Sequence, residues 1–275
     1  MHPNTVSDPI LDSLQPSAIE RTLSTAWAGR SIEYHPVIDS TNRRARTLGE
    51  EGAAHGTLVI ADLQTAGRGR MSRTWESGSG DSVLMSLLLR PESLRPTDAT
   101  GIVLISAIAV AAACEKMSAQ VSIKWPNDLI SNGKKLCGML LDMKMGPEFV
   151  EYAIIGIGVN VKTHPQSEEI PHATCLQDAC GKEVLRQEVV SHFLNHFEAL
   201  YALWRTKGID AVLPLYREYS ITLGRRVRVI GLNETFEALA IDVLADGGLI
   251  VETDDGIRKT VYAGDVSVRG VMDYV

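Results

Sequence analysis

An Asn-Gly pair constrains the folding of this chain more than any other feature of its sequence. Asn132-Gly133 lies between the apolar runs Leu129-Ile130 and Leu136–Met143. Asn-Gly readily adopts the positive backbone angles of a type I′ turn, so the pair predicts a tight β-hairpin. A Gly146-Pro147 turn then leads into the apolar stretch Phe149–Val161. Three successive strands joined by tight turns predict an antiparallel meander.

Further strands and helices are predicted on both sides of this meander from apolar periodicity and turn residues. The predicted strands are 32–38, 57–65, 83–89 and 121–125, and the predicted helices are 19–28, one from about 43, 97–117, 183–207 and 211–219. After residue 221, short strands alternate with Asp-Gly turns, which indicates a small β-barrel. We expect three regions: a loose tail over 1–16 and a short helix within 1–30, a large domain over 31–220, and a β domain over 221–275.

The charge and composition of the chain exclude several functions. A formal net charge of −7 argues against a general nucleic-acid-binding protein, because neutralising phosphates needs a basic surface. No more than about 30 residues precede the first predicted strand, too few for a helix-turn-helix domain. No secretory signal is recognisable, and the longest apolar run, Ile102–Cys114, is too short to cross a membrane. These two observations predict a cytoplasmic protein. The four cysteines lie in apolar or small-residue settings without metal-ligand spacing, so we expect buried, reduced thiols.

The stretch Ala66–Asp81, between two predicted strands, is rich in glycine, serine and arginine. A loop this long inside a compact domain is usually functional or disordered. It contains Gly67-Arg68-Gly69-Arg70, followed by Arg73 and Trp75. Glycines let the backbone approach a ligand, and guanidinium groups bind carboxylates or phosphates through paired hydrogen bonds. The stretch is either an anion-binding loop or a solvated surface loop, and it matches neither the Walker A nor the dinucleotide-binding glycine pattern.

Two further motifs carry polar or glycine residues at the ends or middle of predicted strands. In Lys124-Trp125-Pro126-Asn127-Asp128, the amide and carboxylate either hold Mg²⁺ together with substrate phosphates or merely stabilise a turn. Lys134 and Lys135 follow at the hairpin, where paired lysines are usually solvated. The glycines of Gly156-Ile157-Gly158-Val159-Asn160 indicate close packing or an approaching ligand. Together the motifs predict ATP-dependent activation of a carboxylate.

Five motifs in this order resemble those of bacterial biotin–protein ligases of the type without an N-terminal DNA-binding domain. They are Ser40-Thr41-Asn42, Gln64-Thr65-Ala66-Gly67-Arg68-Gly69-Arg70, Lys124-Trp125-Pro126-Asn127-Asp128, Lys135-Leu136-Cys137-Gly138 and Gly156-Ile157-Gly158-Val159-Asn160. The resemblance implies an α/β (α+β) fold, with a mixed, largely antiparallel sheet and helices in the catalytic domain, followed by an SH3-like barrel. It also implies formation of biotinyl-5′-AMP from biotin and ATP, and transfer of biotin to a lysine of a biotin carboxyl carrier protein.

The resemblance implies a role for each motif residue. Biotin would contact Ser40, Thr41, Asn42, Gln64, Gly67, Arg68, Gly69, Arg70, Lys135, Gly138, Gly156 and Gly158. ATP would contact Arg70, Arg73, Trp75, Lys124, Asn127 and Asn160, while Asp128 would bind Mg²⁺ directly or through water. Lys135, Arg70 and Arg68 would be catalytic, because a carboxylate attacking an α-phosphate brings two anions together.

Three other functions are open at this point. A lipoate-type protein ligase shares the adenylate chemistry, although the Gly67–Arg70 motif and the C-terminal β domain favour biotin. A biotin-sensing repressor would need a DNA-binding domain, and an inactive biotin-binding adaptor would not need both Lys135 and Asp128. We expect ATP and Mg²⁺ as cofactors, a carboxyl carrier domain as protein partner, no nucleic-acid or membrane partner, and a monomer or homodimer.

Overall fold

The computed structural model describes residues 11–165, 172–231, 234–264 and 266–270. Seven strands form a mixed sheet in the spatial order β1-β2-β3-β7-β6-β5-β4. They are β1 (Ser31–His35), β2 (Thr57–Ala61), β3 (Ser82–Leu89), β4 (Ser122–Lys124), β5 (Asp128–Ser131), β6 (Lys134–Met145) and β7 (Val150–Asn160). β1 and β2 pair in parallel, and every other neighbouring pair is antiparallel. The expected mixed, largely antiparallel sheet is confirmed.

The predicted meander forms the longest part of this sheet. Asn132 and Gly133 have φ values of 50° and 74°, as a type I′ turn requires, and they join β5 to β6. β6 and β7 pair along most of their length, from Cys137 with Val159 to Met145 with Val150. The Asn-Gly turn places Ser131 opposite Lys134, and β5, β6 and β7 form the predicted antiparallel meander.

Six α-helices accompany the strands in the part of the chain that the structure describes. They are α1 (Pro16–Glu20), α2 (Thr41–Glu50), α3 (Thr100–Lys116), α4 (Leu176–Cys180), α5 (Arg186–Lys207) and α6 (Leu213–Tyr219). The two long helices, α3 and α5, pack on each other and on one face of the sheet, where they enclose the main hydrophobic core. The aromatic stripe of α5, including Phe193 and Phe197, lies in this core as expected. On the opposite face, α2 covers a small second cluster around Tyr152 and Ile154.

The helical segment Pro96–Lys116 is long and apolar enough to cross a membrane, by length and composition. The apolar run Ile102–Cys114 is thus part of a longer helical segment. Burial accounts for its composition: 72% of its most apolar window lies inside the protein, against α5 and the sheet. The segment begins with a 3-10 turn, Pro96–Asp98, which is followed by α3. Neither the 3-10 turn nor α3 has a side-chain hydrogen bond at its N-cap.

The N-terminal region differs from its prediction. Residues 1–10 lie outside the described residues, but Leu14 is 1% exposed and packs in the main core, so the expected loose tail does not extend to residue 16. The predicted helix over 19–28 is replaced by the short α1. The backbone N–H groups of Ala26, Trp27 and Ala28 donate instead to the Glu198 carboxylate on α5. This tertiary contact outweighs the local helix signal.

A five-stranded antiparallel sheet follows the large sheet. Its strands are β8 (Arg226–Gly231), β9 (Thr235–Val243), β10 (Leu249–Glu252), β11 (Arg258–Val261) and β12 (Val266–Gly270), in the order β11-β10-β9-β8-β12. This is the strand content expected of a small SH3-like domain, and within the described residues no pairing of β11 with β12 closes it into a barrel. The Trp125 indole donates to the Gly247 carbonyl at 3.0 Å, which joins the two sheets.

Several boundaries also shift. β1 ends at His35 and β2 at Ala61, short of the predicted ends, although Ile38 and Gln64 form an isolated parallel bridge beyond both strands. α5 begins at Arg186 rather than at 183. All four cysteines are free as expected, with Cys180 only partly buried.

Candidate active site

The alternation of side chains along β7 divides its residues between the two faces of the sheet. Ile157 points into the core beneath α3 and α5, so its neighbours Gly156 and Gly158 face the opposite side. Gly156 lies beside Ser86 of β3, and Gly158 lies beside Gly138 of β6. A run of small residues thus crosses the sheet next to α2.

The first turn of α2 forms a hydrogen-bonded cluster on this face. The Thr41 N–H and hydroxyl both donate to Gln64 Oε1, at 2.8 and 3.0 Å. The Ser86 hydroxyl donates to Asn42 Oδ1 at 2.6 Å and lies 2.8 Å from the Thr41 hydroxyl. Asn42 Nδ2 donates to Asp142 Oδ2 on β6 at 3.2 Å. These polar groups hold one another in a single arrangement, which suits recognition of a neutral polar ring.

Because the glycines have no side chains, side chains from other elements can approach the sheet closely at these positions. A Cβ atom at Gly156 would collide with the Asn42 amide. At Gly158 it would lie 2.5 Å from Trp75 Cε2, and at Gly138 it would lie 2.8 Å from Trp75 Cζ3. The close approach predicted from the glycine motif is thus present, and Asn42 and Trp75 are the groups that make it.

The segment Gly67–Trp75, called here the arginine hairpin, turns back on itself over this face. The Trp75 N–H donates to the Gly67 carbonyl at 3.0 Å, and a Cβ at Gly67 would collide with the Trp75 carbonyl oxygen. Its tip is a short 3-10 turn, Arg70–Ser72, in which Met71 has a φ of 54°. A positive φ is uncommon for a residue other than glycine, asparagine or aspartate, so the tip is strained at Met71.

Cationic side chains gather at the other end of the face, around Asp128. Lys135 Nζ lies 2.8 Å from Asp128 Oδ1 and 5.7 Å from the centre of the Trp75 ring. Lys124, opposite Asp128 on β4, is 7% exposed, and burial lowers its pKa to about 8 against the opposing influence of Asp128. Such a cluster is suited to an anionic ligand that would add the missing negative charge.

Arg70 connects this cluster to the C-terminal sheet. Its guanidinium donates to Asn127 Oδ1 at 3.0 Å, to the Ala263 carbonyl, and to the Val266 carbonyl at 3.4 Å. Burial lowers the pKa of Arg70, although Asp128 opposes the shift. The hairpin tip is therefore held between the two sheets, at the cationic end of the face.

Three buried polar atoms on this face have no hydrogen-bond partner among the described residues: Trp75 Nε1, Asn160 Oδ1 and Asp128 Oδ1. Of these, Asp128 Oδ1 has an ion-pair partner, Lys135. Asn160 lies two residues beyond Gly158 on the same face, and its Nδ2 donates to the Thr174 carbonyl at 3.0 Å. Unsatisfied buried polar atoms are costly in a folded protein and often mark a ligand site. One donor and one acceptor are therefore available to a bound polar molecule.

The structure divides the predicted site residues between the two ends of one face. At the α2 end lie Thr41, Asn42, Gln64, Gly67, Arg68 and Gly156, and at the cationic end lie Arg70, Trp75, Lys124, Asn127, Asp128, Lys135, Gly138 and Gly158. Ser40 is buried at the N-cap of α2, Gly69 lies in the hairpin, and Arg73 is exposed. Arg70 was expected to contact both substrates, and here it belongs to the cationic end.

Sequence reasoning missed three side chains at this site. Ser86 and Asp142 complete the α2 cluster, and Arg269 of the C-terminal sheet acts electrostatically on Lys124. Ser86 could have been noticed as a hydroxyl inside the apolar run 83–89, and Asp142 as a carboxylate inside 136–143. The sequence gives no indication of a role for Arg269, because only the packing of the two sheets brings this residue near Lys124.

The arrangement therefore offers a neutral polar cluster at one end, a run of glycines beneath Asn42 and Trp75 in the middle, and a cationic cluster at the other end. No group of three or more histidine, cysteine, aspartate or glutamate side chains suited to a metal occurs in the described part of the chain. Asp128 is thus not part of such a group, and a Mg²⁺ ion at this carboxylate would take further oxygen ligands from phosphates and water.

Comparisons with known proteins agree with this geometry. A family described as Biotin/lipoate A/B protein ligase matches residues 34–160, and a family described as Biotin protein ligase C terminal domain matches residues 222–269. The bifunctional ligase/repressor BirA of Bacillus subtilis is 40% identical over 260 residues, covering 93% of this chain and 79% of that protein. The biotin–[acetyl-CoA-carboxylase] ligase of Mycobacterium tuberculosis is 30% identical over 267 residues, covering 93% and 97%.

A solved structure shows the same fold. The biotin protein ligase from Aquifex aeolicus in complex with biotin and ATP superposes with a TM-score of 0.76 at 28% identity. The match covers 88% of this chain and 99% of that one, so it includes both sheets.

Proposed function

This chain belongs to the biotin/lipoate A/B protein ligase family, and we propose that it is an ATP-dependent ligase that attaches biotin to a lysine of a biotin carboxyl carrier protein. One observation carries the proposal: a single face of the sheet joins a fixed amide cluster to a cationic cluster across a surface of glycines. Biotin needs such a face, since it has a ureido ring that donates and accepts hydrogen bonds at one end and a carboxylate at the other.

In the first step the biotin carboxylate attacks the α-phosphate of ATP. A bond forms between a carboxylate oxygen and the α-phosphorus, and the bond to the β-phosphate oxygen breaks, which releases pyrophosphate. Both reactants are anions, so nearby positive charge lowers the barrier. Lys135 and Arg70 lie at the cationic end, where the carboxylate of a biotin seated on the α2 cluster would meet the phosphates.

The purine has two candidate partners at the same end. Trp75 offers its indole face and an unpaired Nε1 donor, and Asn160 offers an unpaired Oδ1 acceptor. We assign both to the nucleotide, together with Asn127, Lys124 and the exposed Arg73. Arg68, which lies nearer the α2 end, is assigned to biotin.

Magnesium would be held by the phosphates, with Asp128 as its one protein ligand, directly or through water. Bound Mg²⁺ would neutralise phosphate charge. In this structure Asp128 pairs with Lys135, so the same carboxylate also orients the lysine.

In the second step the neutral amine of the acceptor lysine attacks the carbonyl carbon of biotinyl-5′-AMP. An amide bond forms, AMP leaves, and the amine gives up a proton. The arginine hairpin covers the face between the two clusters, so its closure would keep water from hydrolysing the mixed anhydride. We place this reaction in the cytoplasm, without a nucleic-acid or membrane partner.

The test is release of pyrophosphate from ATP and Mg²⁺, with biotin compared with lipoate and octanoate, followed by transfer of label to a carrier domain. We expect pyrophosphate release with biotin and none with lipoate or octanoate. Lys135→Ala should lower the rate by about 100-fold or more, because it removes a charge next to the transition state. Lys134→Ala is the matched control, since this neighbouring lysine is exposed, and it should keep the wild-type rate. Release with lipoate and not biotin would favour the lipoate-type ligase.

A further inference from the structure

The Asp142 side chain joins the amide cluster to the arginine hairpin, and no role in the reaction described above uses it. Asp142 lies on β6 opposite Ile154, so it shares the face that carries the site. Its side chain is 17% exposed. It accepts the hydrogen bond from Asn42 at Oδ2, and its two oxygens lie near the guanidinium groups of Arg46 and Arg68, at 3.7 and 3.9 Å.

The first contact fixes the orientation of the Asn42 amide. An ionised carboxylate only accepts hydrogen bonds, so the NH₂ group of Asn42 must face Asp142. The Ser86 hydroxyl occupies one acceptor position of Asn42 Oδ1 from the other side. Asn42 therefore keeps one N–H and one Oδ1 lone pair for a ligand, and the positions of this donor and this acceptor are fixed. A ureido ring carries both donors and an acceptor, so it can form hydrogen bonds with both groups.

The second contact concerns the arginine hairpin. Arg68 is 52% exposed and belongs to the hairpin, whereas Asp142 belongs to the rigid sheet. At 3.9 Å the pair is at the limit of a salt bridge, and exposed pairs of this kind contribute little to global stability. Their attraction still favours the position of the hairpin in which Arg68 lies over the amide cluster.

We propose that Asp142 is a positioning residue of the ligase reaction. It presents the Asn42 amide to the ring of the bound acid and docks the arginine hairpin, through Arg68, over the same end of the site. The inference rests on the proposed function, because it concerns the acid and the adenylate that this function places there.

Two substitutions in the full-length chain separate these effects. Asp142→Asn keeps a side-chain oxygen for Asn42 and removes the charge that attracts Arg68. It should speed the loss of bound biotinyl-5′-AMP by roughly two- to fivefold at low salt, with the KM for biotin nearly unchanged. High salt should remove this difference, because it screens the pair in the wild type as well. Asp142→Ala removes both contacts and should also raise the KM for biotin by at least about tenfold.

The KM for ATP should stay at the wild-type value in both variants, because Asp142 lies at the opposite end from the cationic cluster. Glu151→Gln is the matched control: this exposed carboxylate on β7 pairs with Lys144 at 3.3 Å, and neutralising it should change neither measurement. The inference is overturned if Asp142→Ala behaves like Glu151→Gln, or if it raises the KM for ATP as much as that for biotin. Absence of biotin-dependent pyrophosphate release in the wild type would instead refute the proposed function.

Discussion

The two faces of the seven-stranded sheet are built from the same strands, yet they differ in what covers them. One face is sealed by α3 and α5, which together with the sheet bury apolar side chains from most of its strands. The other face carries the short α2, a cluster centred on only five buried apolar residues, and the arginine hairpin. A closely packed face tolerates substitutions of its side chains poorly, whereas a partly covered face has room for a ligand.

β7 shows this division at the level of single residues. Ile157 points into the core and is 3% exposed, and the next residue, Gly158, lies beneath the Trp75 indole. The hydrophobic core and the candidate site therefore use alternate positions of one strand. A substitution at Gly158 should mainly lower activity, whereas a substitution at Ile157 should mainly lower stability.

Gly158→Val should produce the largest effect on activity. Even a Cβ atom at this position would lie 2.5 Å from Trp75, and the valine methyl groups would fill the glycine surface between the two clusters. Biotin-dependent pyrophosphate release should fall to background in a coupled assay. The urea midpoint should stay close to that of the wild type, because the new side chain would meet the partly buried Trp75 side chain rather than backbone. Wild-type activity in this variant would show that no ligand uses the glycine surface.

Ile157→Ala should have the complementary effect. Deleting a buried isoleucine side chain leaves a cavity beneath the helices and costs about 2–5 kcal/mol of unfolding free energy. Urea denaturation measures this loss. Activity per folded molecule, assayed at low temperature, should remain near the wild-type value because the side chain faces away from the site. If both variants lose stability and activity together, the two faces are not separable in the way described here.

Local signals were enough to predict the sealed face and the meander. Asn132-Gly133 dictates its turn by backbone preference, and the aromatic stripe of α5 follows from helical periodicity. The helix expected over 19–28 failed because Glu198, distant in sequence, takes the backbone N–H groups that the helix would need. Periodicity carries no information about such tertiary partners.

The site was predictable only where residues form motifs. The resemblance to a known family predicted Asn42, Arg68 and Lys135 as site residues, and each of them lies in a recognisable sequence motif. Ser86 and Asp142 belong to apolar strands, and their partners come from different elements. Whether a single polar residue in a strand faces solvent or a site depends on the register of the sheet, which the sequence of one strand cannot specify.

The smallest effect concerns the junction that ties α5, on the sealed face, to the end of β2. α5 begins at Arg186, whose Nη1 lies 2.6 Å from Asp62 Oδ1, just after β2. Arg186 also pairs with Asp12 through its backbone N–H and Nε, at 2.7 and 2.8 Å, and Lys162 lies 2.7 Å from the same carboxylate. Burial alone would raise the pKa of Asp12, but the hydrogen bonds from Lys162 and Arg186 outweigh it and lower the pKa below 3.8.

Asp12→Asn should therefore cost about 1–2 kcal/mol of unfolding free energy at neutral pH. A carboxyl group whose pKa is depressed by folding stabilises the protein above its unfolded-state pKa, and this contribution is lost as pH falls through the folded-state value. The difference between wild type and variant should be constant from neutral pH to about 5 and shrink below about 4, in urea titrations across that range. Asp254→Asn is the control, since Asp254 pairs with Arg226 on the exposed surface and should change stability little. Equal effects of the two substitutions would mean that the junction is no stronger than a surface ion pair, and that packing alone holds the start of α5 against the sheet.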